Sequence, residues 1–505
     1  MSRKQSITLF FLLILHVLPH AELSAQSIPS SPRIAPDPKA LEYYNLGRLN
    51  NGYSWTDLAQ ISLWASGAAD GSSSYSSAVS RITAAAAAVN NSNDLPASDR
   101  ERAEYIFSYM HTNILRTYSY YQTRIDTIFT NGSYNCVSSA VLYMILCGAA
   151  GINTSGVITR EHAFVTVHID GQDIDVETTN RYGFDPGNRR EFHDQFGRVT
   201  GFTYVTAQNY RDRQTISNIE MISLILNNRI ADFERRGNFI NAVPLAIDKA
   251  TLLLGDTFTV SADAASVEHL FTDPRKDLTD RLLNYAGTFL RSNREEDGII
   301  WALSVSSMYP SQDRWDTFLQ AAVNNRITRF LRETKITEAR NFLNNNKTHI
   351  TEEEYAGFDT VIIETDLTNR AGRINSKAAG DSVINDTEQA RKENRLSENR
   401  ANELIIFAVL KTAAAVSAAP LRDWRGAIGY IENAVARFGT SRELEQSLNT
   451  YRNNLAADYH NRFASEWNKR NYEEAQLILN EGLKEFPNNR QLQSDKEIVN
   501  RHISR

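Results

Sequence analysis

Residues 131–152, NGSYNCVSSAVLYMILCGAAGI, place an apolar helix directly after a turn. Val137, Ala140, Val141, Tyr143, Met144 and Leu146 leave it almost no polar face, and a helix apolar on every side must be buried. Gly148 and Gly151 end it. The period then changes from helical to alternating. SGVITREHAFVTVHIDGQDIDVETTN is rich in β-branched residues, with Asp170-Gly171 as a hairpin turn. Both cysteines of the chain, Cys136 and Cys147, lie in the one helix. That spacing sets them about 16 Å apart along its axis, whereas a disulfide needs Cα atoms within about 7 Å. Two unpaired thiols are therefore expected, Cys147 as core packing and Cys136 at the helix start.

The chain has 505 residues, too many for one core, so two or more domains are expected. With 42% hydrophobic and 23% charged residues it reads as globular. Its first 25 residues have the pattern of an export signal: Arg3 and Lys4, an apolar run from Ile7 to Leu18, then small residues at Ser24 and Ala25. As a helix that run covers about 18 Å of a ~30 Å hydrocarbon core, too little to span it. The expected location is periplasmic or secreted, with no membrane span after signal removal. Net charge is −6, and removing Arg3, Lys4 and Glu22 with the leader takes away +1 and leaves −7. No basic block stands out, which argues against a nucleic-acid partner.

Four regions follow: a signal peptide at 1–25, a leader with N-terminal helices at 26–95, a mixed region at 96–215, and a helical region at 216–505. In the mixed region Ser98 is a helix N-cap with Asp99 and Glu101 in the first turn, and Tyr105, Ile106, Tyr109 and Ile114 form a stripe. In the last region two stretches superpose at an offset of 48: Trp424 with Tyr472, Ala427 with Ala475, Ala434 with Gly482, Phe438 with Phe486, Leu444 with Leu492. Such spacing suits helical hairpins packed on one another. Residues 375–404 are polar and read as an exposed helix or a linker.

The chemistry concentrates on three segments. With Asp170-Gly171 as a two-residue loop, paired residues sum to 341, so Thr166 faces Asp175, Phe164 faces Glu177 and His162 faces Thr179. His162, Asp175 and Glu177 then share one sheet face. Glu177 is diagonal to His162, and Asp175 is one step further. Cys136 sits at the positive end of a helix dipole, which favours thiolate. A histidine can hold its proton and a carboxylate can orient the ring. The catalytic candidates are Cys136, His162 and Glu177, with Asp175 as the alternative acid. No spacing suggests a metal site, and no cofactor is implied.

NCVSSAVLY, GINTSGVITREHAFVTV and DIDVETTN together resemble the transglutaminase-like, papain-related cysteine superfamily, over roughly residues 100–205. That resemblance implies an α+β N-terminal domain with an antiparallel sheet, Cys136 as nucleophile, His162 as base and acid, and Glu177 as orienting acid. This chain has ETT where that family has Asp-Pro-Thr, and Phe164 where it more often has Trp. The last 48-residue unit resembles half of a tetratricopeptide repeat, at Tyr472, Ala475, Leu479, Gly482 and Pro487. The resulting expectation is an exported thiol hydrolase or acyltransferase acting on amide bonds of a protein or peptide substrate. The helical region would bind a protein partner. The alternative is a non-catalytic binding or scaffold protein with the same fold.

Overall fold

The computed structural model describes residues 31–90, 96–159, 162–187, 189–201, 213–256, 273–420 and 422–503. The export signal lies outside them. The chain divides into two units, Met1–Thr288 with Leu303–Ser311, and Phe289–Ala302 with Gln312–Arg505.

The first unit opens with four helices, α1 (Pro38–Leu49), α2 (Trp55–Ala65), α3 (Ser73–Asn90) and α4 (Asp99–Asn113). Short parallel strands β1 (Thr117–Tyr118) and β2 (Ser133–Tyr134) bracket α5 (Ile125–Asn131). Helix α6 (Cys136–Ala149) follows, and Val137 to Cys147 are buried without a break. Its start is fixed by a reciprocal cap. The Asn135 side chain accepts from the Ser138 amide at 3.0 Å, and the Ser138 hydroxyl accepts from the Asn135 amide at 2.9 Å. The apolar sides of α2, α3, α4 and α6 meet in one core that includes Ile61, Ile82, Ile106 and Leu142.

A four-stranded antiparallel sheet packs on this core, in the order β5 (Gln172–Val176), β4 (Ala163–Ile169), β3 (Asn153–Ile158), β6 (Gln214–Ile216). The hairpin register is the expected one, with Ile169 opposite Gln172 and Thr166 opposite Asp175. Asp170 and Gly171 take the positive φ angles, 51° and 75°, that a two-residue hairpin turn requires. Val165, Val167 and Val176 face the helical core. Helix α7 (Arg190–Thr200) sets the buried Phe196 edge-on to the ring of His162, with Phe192 packed on Phe196, and the Phe164 ring lies 6.4 Å from the same imidazole. Helices α8 (Asn218–Arg235) and α9 (Phe239–Leu254) close the helical body.

The second unit is helical throughout its described residues. Helix α10 (Pro274–Arg291) belongs to the first unit as far as Thr288, and α11 (Glu295–Ser306) to the second as far as Ala302; α12 (Gln312–Arg332), α13 (Ile336–Asn345), α14 (Glu352–Gly372), α15 (Lys377–Lys392) and α16 (Glu398–Val416) lie wholly in the second. The chain ends with α17 (Trp424–Phe438), α18 (Arg442–Asn468), α19 (Tyr472–Glu485) and α20 (Arg490–Ile503). Residues 375–404 are no linker: α15 buries Val383, Ile384 and Thr387. The 48-residue offset marks equivalent helix starts, Trp424 and Tyr472, each followed by a fully buried alanine at 427 and 475.

The α+β expectation for the N-terminal domain is not met. The described chain is mainly helical, with twenty α-helices and six strands, none longer than seven residues. The alternation over 153–176 does form strands. But five helices precede α6 and two long ones follow β6, and these supply most of the body around the sheet.

Replacing Asn135 with alanine removes the cap that places Cys136 at the first turn. The expected loss is about 1–2 kcal/mol, read as a lower urea midpoint with an unchanged slope, while Asn135→Asp retains most of the stability.

Candidate functional site

Cys136, His162 and Glu177 come together at the head of α6. Cys136 is the first residue of that helix and is partly exposed. His162 precedes β4, and its Nε2 lies 2.6 Å from Glu177 Oε2. Cys136 also acts on the ring and favours its protonated form. With Nε2 committed to the carboxylate, Nδ1 is the nitrogen left for the sulfur.

Glu177 is completely buried. An ionised carboxylate there needs compensating donors on both oxygens. Oε2 faces the imidazole, and Oε1 accepts from the Thr179 amide at 3.0 Å and the Thr179 hydroxyl at 2.6 Å. The surrounding segment is tied down at several points. The Glu177 amide donates to Gly183 O at 2.8 Å, the Tyr134 hydroxyl donates to Thr179 O at 3.3 Å, and the Thr178 and Ser139 hydroxyls are 2.8 Å apart. Ser139 belongs to the first turns of α6 and also donates to Asn135 O at 2.8 Å. The carboxylate and the sulfur are thus held to one another through the backbone that carries them.

Asp175, the alternative acid, is engaged elsewhere. Arg213 grips both its oxygens at 2.5 Å each, and the Thr166 hydroxyl donates to it at 3.0 Å. The guanidinium also lies over the Phe164 ring, 5.1 Å from its centroid. Cys147 is fully buried, and burial pushes its thiol up to about 12. Both cysteines are free. His168 bridges Ser155 and Asp173, at 2.9 and 2.7 Å.

Burial alone would lower the His162 pKa. The Glu177 charge overrides it, helped by Cys136 and by the hydrogen bond to Glu177, and the ring is raised to about 10. The imidazolium therefore persists across the neutral range beside the sulfur. His111 behaves oppositely: burial, opposed by a hydrogen bond to the Thr178 backbone, takes it down to about 4, so it is neutral. Tyr118 stays a phenol, because burial raises it and the Cys136 and Glu177 charges add to that.

The sulfur opens into a cleft of about 740 Å³, within the range of small-ligand sites. One wall is the start of α6 with Thr159 and His162. The other is the face of α8 bearing Leu224, Asn227, Asn228, Ala231, Asp232 and Arg235. Tyr120 and Tyr121 stand exposed at the rim in an edge-to-face pair, and Arg235 lies 4.6 Å over Tyr121. Capping takes up the Asn135 and Ser138 amides, and the Ser139 amide bonds Asn135 O. The amides of Cys136 and Val137, both lining residues, have no intrahelical acceptor and suit a developing oxyanion.

Sequence reasoning placed Thr179 opposite His162 but missed its bonds to Glu177, and it did not find Arg213, the two rim tyrosines or the α8 wall. Thr179 was visible as the second Thr of ETT. Arg213 lies 38 residues from Asp175 and carries no local signal. Among the described residues no group of His, Cys, Asp and Glu side chains is arranged to hold a metal ion.

No family model matches the chain, and no curated protein matches it. Among solved structures the chain is similar to menin, in a crystal structure described as revealing the binding site for Mixed Lineage Leukemia (MLL) protein. That similarity has 12% identity over 84% of this chain and 93% of menin's, with a TM-score of 0.28, and at that level it carries no argument. The transglutaminase-like, papain-related assignment does not hold, nor do the cysteine-protease-like, hydrolase and tetratricopeptide-like labels attached to it. The body is mainly helical and no family model supports any of them. The three segments that suggested the family carry a cap, a helix end and a hairpin, local features that unrelated folds share.

The raised His162 pKa has a stability consequence. The folded protein holds this proton more tightly than the unfolded chain, whose histidine titrates near 6.5. The stabilisation is therefore complete below pH 6.5 and declines as pH rises through about 10. Urea unfolding from pH 6 to 10 is expected to show that fall, and His162→Gln is expected to flatten it. A Cβ at Gly183 would lie 1.9 Å from Glu177 O. Gly183→Ala should thus cost about 1–3 kcal/mol and, by moving Glu177, narrow the gap in pH dependence between the wild type and His162→Gln.

Proposed function

We propose that this cleft performs acyl transfer from an amide through a thioester on Cys136. The observation that supports this most directly is an imidazole hydrogen-bonded to a buried carboxylate and lining the same open cleft as the Cys136 thiol at a helix start. In the first step the thiolate adds to the carbonyl carbon. The oxyanion forms against the Cys136 and Val137 amides, the C–N bond breaks, and the His162 imidazolium gives its proton to the departing amine. In the second step an acceptor amine or water loses a proton to His162 as it attacks the thioester. The sulfur then leaves as thiolate beside the restored imidazolium. Glu177 holds the ring in the orientation that serves both steps and stabilises its positive charge.

Two measurements on the full chain test this reading. Iodoacetamide at pH 6 should modify Cys136 alone, with Cys147 reacting only after unfolding, and His162→Ala should slow the reaction at least about tenfold. p-Nitrophenyl acetate should release one equivalent of nitrophenolate in a burst and leave one acetyl group on Cys136. Labelling of Cys136 only at alkaline pH, unaffected by His162→Ala and without a burst, would instead make the cleft a binding site.

A further inference from the structure

A second cavity lies in the same unit, about 420 Å³ in volume, between the start of the described chain and helices α2, α8 and α9. Its charged lining comprises Arg33, Lys39 and Arg229, and Asp37, Asp70 and Asp248. The formal charges balance, but the pairing does not. Asp248, only 3% exposed, takes Arg33 on one oxygen at 2.6 Å and the Asp37 amide on the other at 2.7 Å. Asp70 pairs with Lys39. Asp37 caps α1, accepting from the Lys39 amide at 2.9 Å, and takes the Trp64 indole N–H at 3.3 Å. Each carboxylate is thus committed.

Among the described residues Arg229 has only the carbonyl of Ala65 as acceptor, bound through Nη1. Among the described residues no carboxylate comes within 4.0 Å of it. A guanidinium presents five donors in a planar fork, and one backbone oxygen leaves most of them unmet. Gly67 gives the guanidinium its room: a Cβ there would lie 2.6 Å from Nη2. Burial first, then repulsion from Arg124, lowers the Arg229 pKa to about 10, against the opposing pull of Asp126 and Asp248. An anion beside it would relieve both effects. The rest of the wall is apolar or aromatic, with Tyr43 and Trp64 in edge-to-face contact at 5.6 Å and Leu226 and Leu245 alongside.

We infer that this cavity binds a small organic carboxylate, its carboxyl group on the Arg229 fork and its apolar body against Tyr43, Trp64 and Leu245. This inference is independent of the chemistry proposed for Cys136.

The test uses the full chain with 3-phenylpropionate as probe and 3-phenylpropionamide as its uncharged counterpart. Calorimetric titration and thermal shift should both register the carboxylate. The amide, and the Arg229→Gln variant with the carboxylate, should bind at least about tenfold more weakly, the loss expected for a charge-assisted pair. Should Arg229→Gln fail to fold, the wild type still decides the matter. Phenylglyoxal modification of Arg229, followed by peptide mass mapping, should be slowed by 3-phenylpropionate and not by the amide. Equal binding of acid and amide, no binding of either, or absence of that protection overturns the inference.

Discussion

A carboxylate with no exposed surface governs the first unit. Leaving a charge at Glu177 unpaired in the interior would cost several kcal/mol. Its compensation comes from three directions: the imidazole of His162, the Thr179 hydroxyl and the Thr179 amide. To deliver those donors, the chain must turn sharply after β5. The turn closes on Gly183, the close-approach point where only hydrogen fits. The same turn presents Thr178 to Ser139 and Thr179 to Tyr134, which docks it on α6 and β2. The sheet end, the helix start and the loop between them are therefore one hydrogen-bonded assembly.

Parts of this were legible in the sequence because they depend on short-range rules. The Asp170-Gly171 turn set the hairpin register, and the register put His162 and Glu177 within reach. Ser98 does cap α4, accepting from the Glu101 amide at 3.3 Å. The apolar helix after Cys136 is as buried as its composition demands. The stripe on α4 was only partly read. Its buried residues are Ala103, Ile106, Phe107 and Met110, while Tyr105 and Tyr109 stay at the margin of the core.

What was not legible depends on distant partners. Asp175 and Glu177 lie two apart on one face, so parity alone cannot separate them. The choice is made by Arg213, which claims Asp175 from the far edge of the sheet. The boundary placed near residue 216 cut away α8, although that helix forms the wall facing Cys136. Fold class failed for a related reason. The alternating segment is locally persuasive, but the proportion of helix around it is a property of the whole chain, as are the helices α1 to α5 that share its core.

Helix α8 lines two separate cavities. Asn228 and Asp232 line the cleft at Cys136, while Leu226 and Arg229 line the cavity with the aromatic wall. Adjacent side chains on one rod thus serve different spaces, and Asn228 and Arg229 are sequence neighbours. Mutational drift cannot treat these spaces as separate modules. A change in the rod's tilt or bulk that suits one is felt in the other.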